Sequence, residues 1–453
     1  MISQLLILVM LAAGMVALVL GVARKPDIAV LLLLASEVIA THYTLPSIGL
    51  GSLTIFASDV PTAVLLSATA IRPYLGLRRR QISTPLLGIF VLAMLGLARG
   101  ARAFGLQLAG NSAREILAFS AAALFFSTVA ITPDFIRAMR KWFLVASIFI
   151  IFVGVLFWVR NGFGEFSSGG ERGLRGLDAL VLLFATIISI VIPYGRTRAQ
   201  NLLAPAIGFI VLVLALQRSV AIAGIVSLIV IVLVGGRLRT RRSSRVTRVL
   251  LIVGGLSVAL LVLAGPAGLT TDLNTAVETT TSQEGTFSWR LEGWQILIED
   301  QLASPIQSIL LGEPAGRGSS RMIGESLVTV APHSMYVSLF QSTGIIGLAI
   351  MIWLLVSTFR RNIVNVRSEY AFSATVGLLF TALLAAQVTY FISYSAGFTA
   401  GLIVGLSASL AWFGAVDPEI EELKMAAAVP DLPPVMHRSP RPVQPRIEPP
   451  FLL

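Results

Sequence analysis

Residues 332–355 read PHSMYVSLFQSTGIIGLAIMIWLL, with no Lys, Arg, Asp or Glu in the whole stretch. As a helix, about 20 predominantly apolar residues cross a bilayer core of ~30 Å, so this segment is long enough to span a membrane. Proline is tolerated in the first turn of a helix, where its missing donor costs nothing, so Pro332 marks the expected start. His333 is then expected at the head of the helix, with Tyr336 one turn on along the same face. Gly344 and Gly347, three apart, would let a neighbouring helix approach closely.

The same kind of run recurs along the 453-residue chain. Candidate spans lie at 3–22, 28–41, 53–71, 84–98, 115–131, 143–159, 178–193, 202–216, 219–235, 249–265, 334–357, 372–391 and 396–414. Mean hydropathy is +0.86, with 56% hydrophobic and only 13% charged residues, where a soluble domain is about a quarter charged. A soluble chain of this size could not bury so much apolar surface. The expected fold is all-α, a polytopic transmembrane helical bundle of about 12–13 spans with one large extracytoplasmic loop. Soluble enzymes, disordered chains and nucleic-acid modules are excluded, despite the net charge of +11.

That charge sorts by topology. Cytoplasmic loops of membrane proteins carry the excess of Lys and Arg, and here alternate connections hold Arg24 and Lys25, Arg72 to Arg80, Arg137 to Lys141, Arg196 and Arg198, Arg237 to Arg248, and Arg360 to Arg367. These connections hold 20 of the 34 basic residues, against 10 in the opposite set, which places them in the cytoplasm. Residues 1–265 are thus expected to form the first ten helices, with Ile2 to Val22 a retained first helix rather than a leader, since it runs into Arg24 and Lys25 and not a small-residue cleavage site. Residues 266–332 would form the extracytoplasmic loop with short amphipathic helices. The C-terminal spans would occupy 333–414, and the Pro-rich segment 415–453 would be a disordered cytoplasmic tail.

A connection longer than about 15 residues usually has a function of its own. Within 266–332, the stretch Trp289 to Leu302 places Leu291, Trp294, Gln295 and Ile298 at helical spacing, and LLGEPAGRGSSR follows as a turn region. The chemistry-bearing residues on this side are few. With no cysteine and three histidines in the chain, His333 is the outstanding candidate base, because the positive end of a helix dipole disfavours imidazolium and keeps the ring neutral. Its alternative role is an interfacial cap.

Ten arginines sit where positive charge is disfavoured, and each needs a reason. Arg218 lies in ALQRSV between two apolar runs, so its guanidinium must sit at or just below the membrane surface, facing a cavity or an anion. Arg290 lies beside Trp289 and Trp294, which suit a membrane interface or the face of a sugar; an ion pair with Glu292 or Glu299 is its alternative. Arg114 and Arg175 are further candidates for substrate binding, with Arg114 to Glu115 an obvious salt bridge. Guanidinium groups match diphosphate geometry, so a histidine base with two or three arginines suggests transfer from a diphosphate-linked donor. No HExxH, DxD, P-loop or GxGxxG-type motif points to a metal or cofactor. Glu37, Asp59, Asp134 and Asp178 lie in or at the ends of spans, as in a proton-coupled transporter or a lipid-linked glycan flippase, but would equally serve as caps; no internal repeat supports a transporter.

The layout resembles the O-antigen ligase and Wzy-type O-antigen polymerase superfamily. The likeness rests on His333, Ser334, Tyr336, Leu339, Gly344, Ile345 and Gly347 at the loop exit. It rests also on Arg218 and Ser219, flanked by a departing Gln217 and Val220, and on Arg290, Trp294, Leu311, Gly312 and Gly316, interrupted by Glu313 and Pro314. The resemblance implies a membrane glycosyltransferase without cofactor or metal, using an undecaprenyl-diphosphate-linked glycan donor and a glycan, lipid or protein acceptor, with no nucleic acid involved. It implies His333, Arg290 and Arg218 as the catalytic set, and Tyr336, Trp294, Arg114 and Arg175 as substrate-binding residues, at the outer face of the inner membrane in a lipid bilayer.

Overall fold

The computed structural model describes residues 2–42, 47–50, 53–56, 59–75, 82–161, 174–192, 205–208, 217–235, 286–323, 326–329 and 331–416. Among them the chain is helical almost throughout. The helices are α1 (Ile2–Arg24), α2 (Pro26–His42), α3 (Asp59–Ile71), α4 (Thr84–Phe104), α5 (Leu106–Ser127), α6 (Pro133–Asn161), α7 (Gly176–Val191) and α8 (Arg218–Gly235). They continue with α9 (Thr286–Ala303), α10 (Ile306–Leu311), α11 (Met335–Val366), α12 (Ala371–Ser393) and α13 (Phe398–Phe413). Two short antiparallel hairpins complete the set: β1 (Ser47–Leu50) with β2 (Leu53–Phe56), and β3 (Arg321–Ile323) with β4 (Ser326–Val328).

Four described helices are long and apolar enough to cross a membrane, at Thr84–Phe104, Pro133–Phe157, Met335–Val366 and Ala371–Ser393, and shorter apolar helices at Ala12–Arg24, Gly176–Val191, Ser219–Gly235 and Phe398–Phe413 accompany them. The protein is a polytopic helical membrane protein. Apolar side chains also cover its outside: Ile148, Phe152, Leu156 and Val159 on α6, and Ile225, Ile229 and Leu233 on α8, are exposed at helical spacing. Such stripes suit a hydrocarbon surround.

The centre is held by α5, α12 and α13. Between apolar helices in lipid, small residues permit the close approach that dispersion and backbone contacts need. Gly401 and Gly405 of α13 face the backbone of Phe119 and Ala123 on α5, where an added Cβ would run into main-chain carbonyls. Phe119 meets Phe391 of α12 edge to face, with ring centroids 6.3 Å apart.

Alternate connections gather at one end. Arg72 donates to the carbonyls of Ala23 and Thr128, and the amide of Val416 donates to Ile131. The acids in and beside the spans have local partners. Glu37 of α2 accepts from the amide and hydroxyl of Thr399, so it caps the start of α13, and Asp178 accepts from the amide of Arg175 at the start of α7. Asp134 pairs with Arg137, and Asp59 accepts from the amide of Phe56. Each of these four carboxylates thus takes part in a cap or an ion pair.

Several sequence expectations are corrected. The span expected at 53–71 is a strand, β2, followed by a helix that begins only at Asp59. Alternation of SIGLGSLTIF around two glycines is the hairpin signal that its apolar content masks. Of the span at 202–216 only 205–208 is described; the span at 249–265, the loop up to 285 and the tail beyond 416 lie outside the described residues. Helix α11 is broken at Gly344, whose φ is +68°. Gly344 admits the carbonyl of Leu310 from α10 rather than a neighbouring spanning helix, while Gly347 does face Leu92 of α4.

The close packing of α13 on α5 makes a direct prediction. Gly401→Leu should cost about 1–3 kcal/mol through overpacking and lower the thermal unfolding midpoint of the detergent-purified protein. Gly110→Ala inside α5, with nothing within 4 Å of a new Cβ, should not lower it and should raise stability by about 0.5–1 kcal/mol through helix propensity.

Candidate active site at the loop end of the bundle

The loop is fastened to the bundle through backbone. Glu313 N–H donates to the carbonyl of Gln341 at 2.7 Å, next to the break in α11, and Ala315 N–H donates to the carbonyl of Gly96 on α4 at 3.0 Å. Arg99 closes the C-terminus of α10 by donating to the carbonyl of Gly312 at 2.8 Å. Gly100 and Gly312 have no room for a Cβ where these backbones touch, and Gly96 has little. Helix α9, joined to α10 by Ser304 and Pro305, is thereby set over the α11–α12 end.

His333 is not in the first turn of α11. The helix begins at Met335 with Ser334 as its N-cap, and His333 precedes the cap with φ +50°, the one positive φ outside glycine among the described residues. Its pKa is pushed below the usual histidine value by burial first and then by the guanidinium charges of Arg290 and Arg321. The ring is kept neutral as expected, but by desolvation and two arginines rather than the helix dipole. Two hydrogen bonds pin its main chain on either side. Trp294 of α9 donates its indole N–H to the carbonyl of Pro332 at 2.5 Å, and Met335 N–H donates to the carbonyl of Tyr394, just past α12, at 3.0 Å.

Arg290 is half-buried on α9. One Nη donates to the carbonyl of Ser393 at 3.2 Å, and the guanidinium lies 5.7 Å from the centroid of the Tyr394 ring. Its Nε is buried without a partner, and neither Glu292 nor Glu299 pairs with it. Glu299 instead accepts from Gln295. Arg321 of β3 is only 4% exposed; it packs on Gly293 and lies 5.9 Å from the Trp289 ring.

Tyr394 ties in a third element. It stacks on Tyr390 at 4.5 Å and donates its hydroxyl to Gln217 Oε1 at 3.1 Å, while Gln217 Nε2 donates to the carbonyl of Leu174. Gln217 directly precedes Arg218, the first residue of α8, so the backbone of Arg218 enters the cluster that holds Arg290 and His333. Its side chain lies outside the described atoms.

The remaining candidates sit differently. Tyr336 donates its hydroxyl to the carbonyl of Val388 at 3.2 Å and meets Phe391 edge to face, so that group serves helix packing. Arg114 pairs with Asp59 at 2.7 Å rather than with Glu115, bonds Asn111, and lies 4.2 Å from the Phe56 ring. It clamps the first hairpin to α5. Arg175 is exposed at the start of α7. No group of three His, Asp or Glu side chains among the described residues could hold a metal ion.

Residues 203–352 match the family model described as O-antigen ligase. This stretch belongs to the O-antigen ligase superfamily. A comparison with curated proteins finds no match. The O-antigen ligase segment contains Gln217, Arg218, Arg290, Trp294, Arg321 and His333. Ser393 and Tyr394, which anchor Arg290 and the His333 arm, come from beyond it. Sequence reasoning read Gln217 only as a departure from the pattern beside Arg218, and passed over Tyr394 and the placement of Arg321. The signal available for Tyr394 was a Tyr390, Tyr394 pair one turn apart at the end of an otherwise apolar span.

The Trp294 bond can be tested without substrate. Trp294→Phe removes one hydrogen bond of about 1 kcal/mol, so the β3 hairpin should open about fivefold more often. Tryptic cleavage after the buried Arg321 should accelerate by that factor, with cleavage after the exposed Arg317 unchanged.

Proposed function

We propose that the protein transfers a glycan from an undecaprenyl-diphosphate carrier to an acceptor hydroxyl at the outer face of the inner membrane, as a metal-independent ligase or polymerase of cell-surface polysaccharide. The observation that carries this reading is a histidine held neutral beside two arginines, one with an unpartnered buried Nε, in a segment of the O-antigen ligase superfamily.

In this reading the acceptor hydroxyl gives its proton to the neutral imidazole of His333. Its oxygen forms the bond to the anomeric carbon of the donor sugar. The bond from that carbon to the diphosphate oxygen breaks, and its electron pair leaves with the carrier diphosphate. Direct displacement inverts the anomeric centre. Arg218 and Arg290 neutralise the charge that develops on the leaving group, where fixed cations in a partly desolvated site contribute most, and Arg321 adds to the same positive field. Trp294 holds the main chain at Pro332 and thereby aims the base.

His333→Ala should abolish transfer by purified protein supplied with carrier-linked glycan and acceptor, while the variant still reaches the membrane. Retained turnover would remove the base assignment. The pH profile carries the sign. A base with a depressed pKa stays competent at lower pH, so the acidic limb of kcat/KM should lie below about 6.5. Removing a cation in Arg321→Gln should move that limb upward. For the arginines, Arg218→Ala and Arg290→Ala should weaken donor use more than the lysine substitutions do, because lysine keeps the charge and loses the fork. Equal activity across all four variants would leave them with a purely structural role.

A further inference from the structure

Glu37 of α2 is buried in the bundle and takes no part in the chemistry above. An acid inside a spanning segment is costly to bury, so it needs a reason to be there. Its two oxygens accept from the N–H of Thr399, at 3.0 Å, and from the Thr399 hydroxyl. Thr399 is the second residue of α13, whose N-cap is Gly397 and so has no side chain to cap with. A serine or asparagine at 397 would cap the helix locally, with no acid in hydrocarbon. The backbone of Gly397 is extended, with φ −137°, so its conformation admits other residues. What excludes a side chain is Glu37: a Cβ at 397 would come within 2.6 Å of Glu37 Oε1. The helix is thus capped from α2, 362 positions away, in place of the simpler cap next to it.

A local cap fixes only the helix it closes, whereas a cap from another helix also fixes where that helix starts. Only Tyr394 to Gly397 separate α12 from α13. The α12 end of this turn holds the site: the carbonyl of Ser393 takes Arg290, that of Tyr394 takes the N–H of Met335, and the Tyr394 hydroxyl reaches Gln217. Glu37 holds the other end. One turn on, Gly401 N–H donates to the carbonyl of Gly397 at 3.1 Å while Gly401 packs on α5. We propose that Glu37 is a positioning residue for the transfer site, fixing the α12–α13 turn and through it Arg290 and the main chain beside His333. The inference rests on the transferase reading above for what is positioned. A short connection passes a displacement at one end to the other, and a misplacement of about 1 Å at reacting groups costs about 100-fold in rate.

The test uses the full chain purified in detergent. Glu37→Ala should lower the thermal midpoint and cut kcat at least about tenfold. Exchange of the Met335 amide, bonded to Tyr394, should accelerate at least about tenfold relative to the amides of α5. Glu37→Gln keeps the length and one acceptor for the Thr399 amide, and should hold kcat within about threefold. The deciding variant adds Gly397→Ser to Glu37→Ala. The missing carboxylate leaves room for the new side chain, and serine caps α13 locally. The midpoint should then recover while kcat and the Met335 exchange rate do not. Recovery of all three overturns the proposal, because any cap would then serve. So does an unchanged kcat in Glu37→Ala, or faster exchange spread evenly over Met335 and α5. If the unaltered protein makes no product from carrier-linked glycan, the transferase reading fails by itself; the exchange comparison needs no substrate and still decides whether Glu37 holds the turn.

Discussion

The hydrogen bond from Glu313 N–H to the carbonyl of Gln341 holds the loop end together. In hydrocarbon a backbone group without a partner costs several kcal/mol, so a spanning helix can break only where other groups replace the lost bonds. In an unbroken helix the carbonyl of Gln341 would accept from residue 345, four on. The positive φ of Gly344 interrupts α11 there, and loop backbone takes the position. Ala315 N–H adds a second backbone bond, to the carbonyl of Gly96 within the unbroken α4. Glycine at 96, 100, 312 and 344 is what lets main chain touch main chain. Because α9 and α10 are separated by two residues, fixing α10 at the break fixes α9 also, and with it Arg290 and Trp294. The placement of the arginine is thus a consequence of a broken helix some fifty residues later.

The second junction is the turn after α12. Its carbonyls at Ser393 and Tyr394 receive a guanidinium from α9 and an amide from α11, and the Tyr394 hydroxyl reaches Gln217 at the head of α8. Elements far apart in sequence therefore meet on a few backbone atoms that cannot change rotamer. A site that must bring a histidine and arginines together benefits from such rigid support. The stacked Tyr390 and Tyr394 rings stiffen the same turn, and Glu37 caps the helix that leaves it.

Apolar run length and the sorting of basic residues were enough to read a polytopic bundle, because both follow from the bilayer and need no tertiary information. Spans at 84–98, 219–235, 372–391 and 396–414 correspond to helices whose ends differ by a few residues, set by capping and by the loop docked on α4. The helix at Trp289 to Leu302 was equally legible from its period. What escaped were contacts between segments. Nothing local announces that Arg114 prefers Asp59, 55 positions earlier, to the adjacent Glu115, since neighbouring residues on a helix do not face each other. Nor does Pro332 disclose that the helix waits until Met335, because the cap is chosen by where Trp294 and Tyr394 hold the chain. Arg321 read as one loop arginine among several until the β3 hairpin laid it on α9.

The left-handed backbone of His333 bears on how such a site would work. That conformation costs a non-glycine residue about 1–2 kcal/mol and persists only when its surroundings over-determine it. Here the peptide groups on both sides are bonded, to Trp294 and to Tyr394. The imidazole itself has no hydrogen-bond partner among the described residues, so its direction is set by main chain rather than by an orienting acid. A carboxylate behind a histidine would raise its basicity; two arginines lower it. The base is therefore weak. In the proposed transfer a weak base gives little push to the acceptor hydroxyl, which puts the weight on departure of the diphosphate. In that proposal the arginines that help to depress the histidine also stabilise the leaving group. Burial together with one arrangement of positive charge thus accounts for the weakness of the proposed base, and the same charge for why the proposed transfer can proceed without a stronger one.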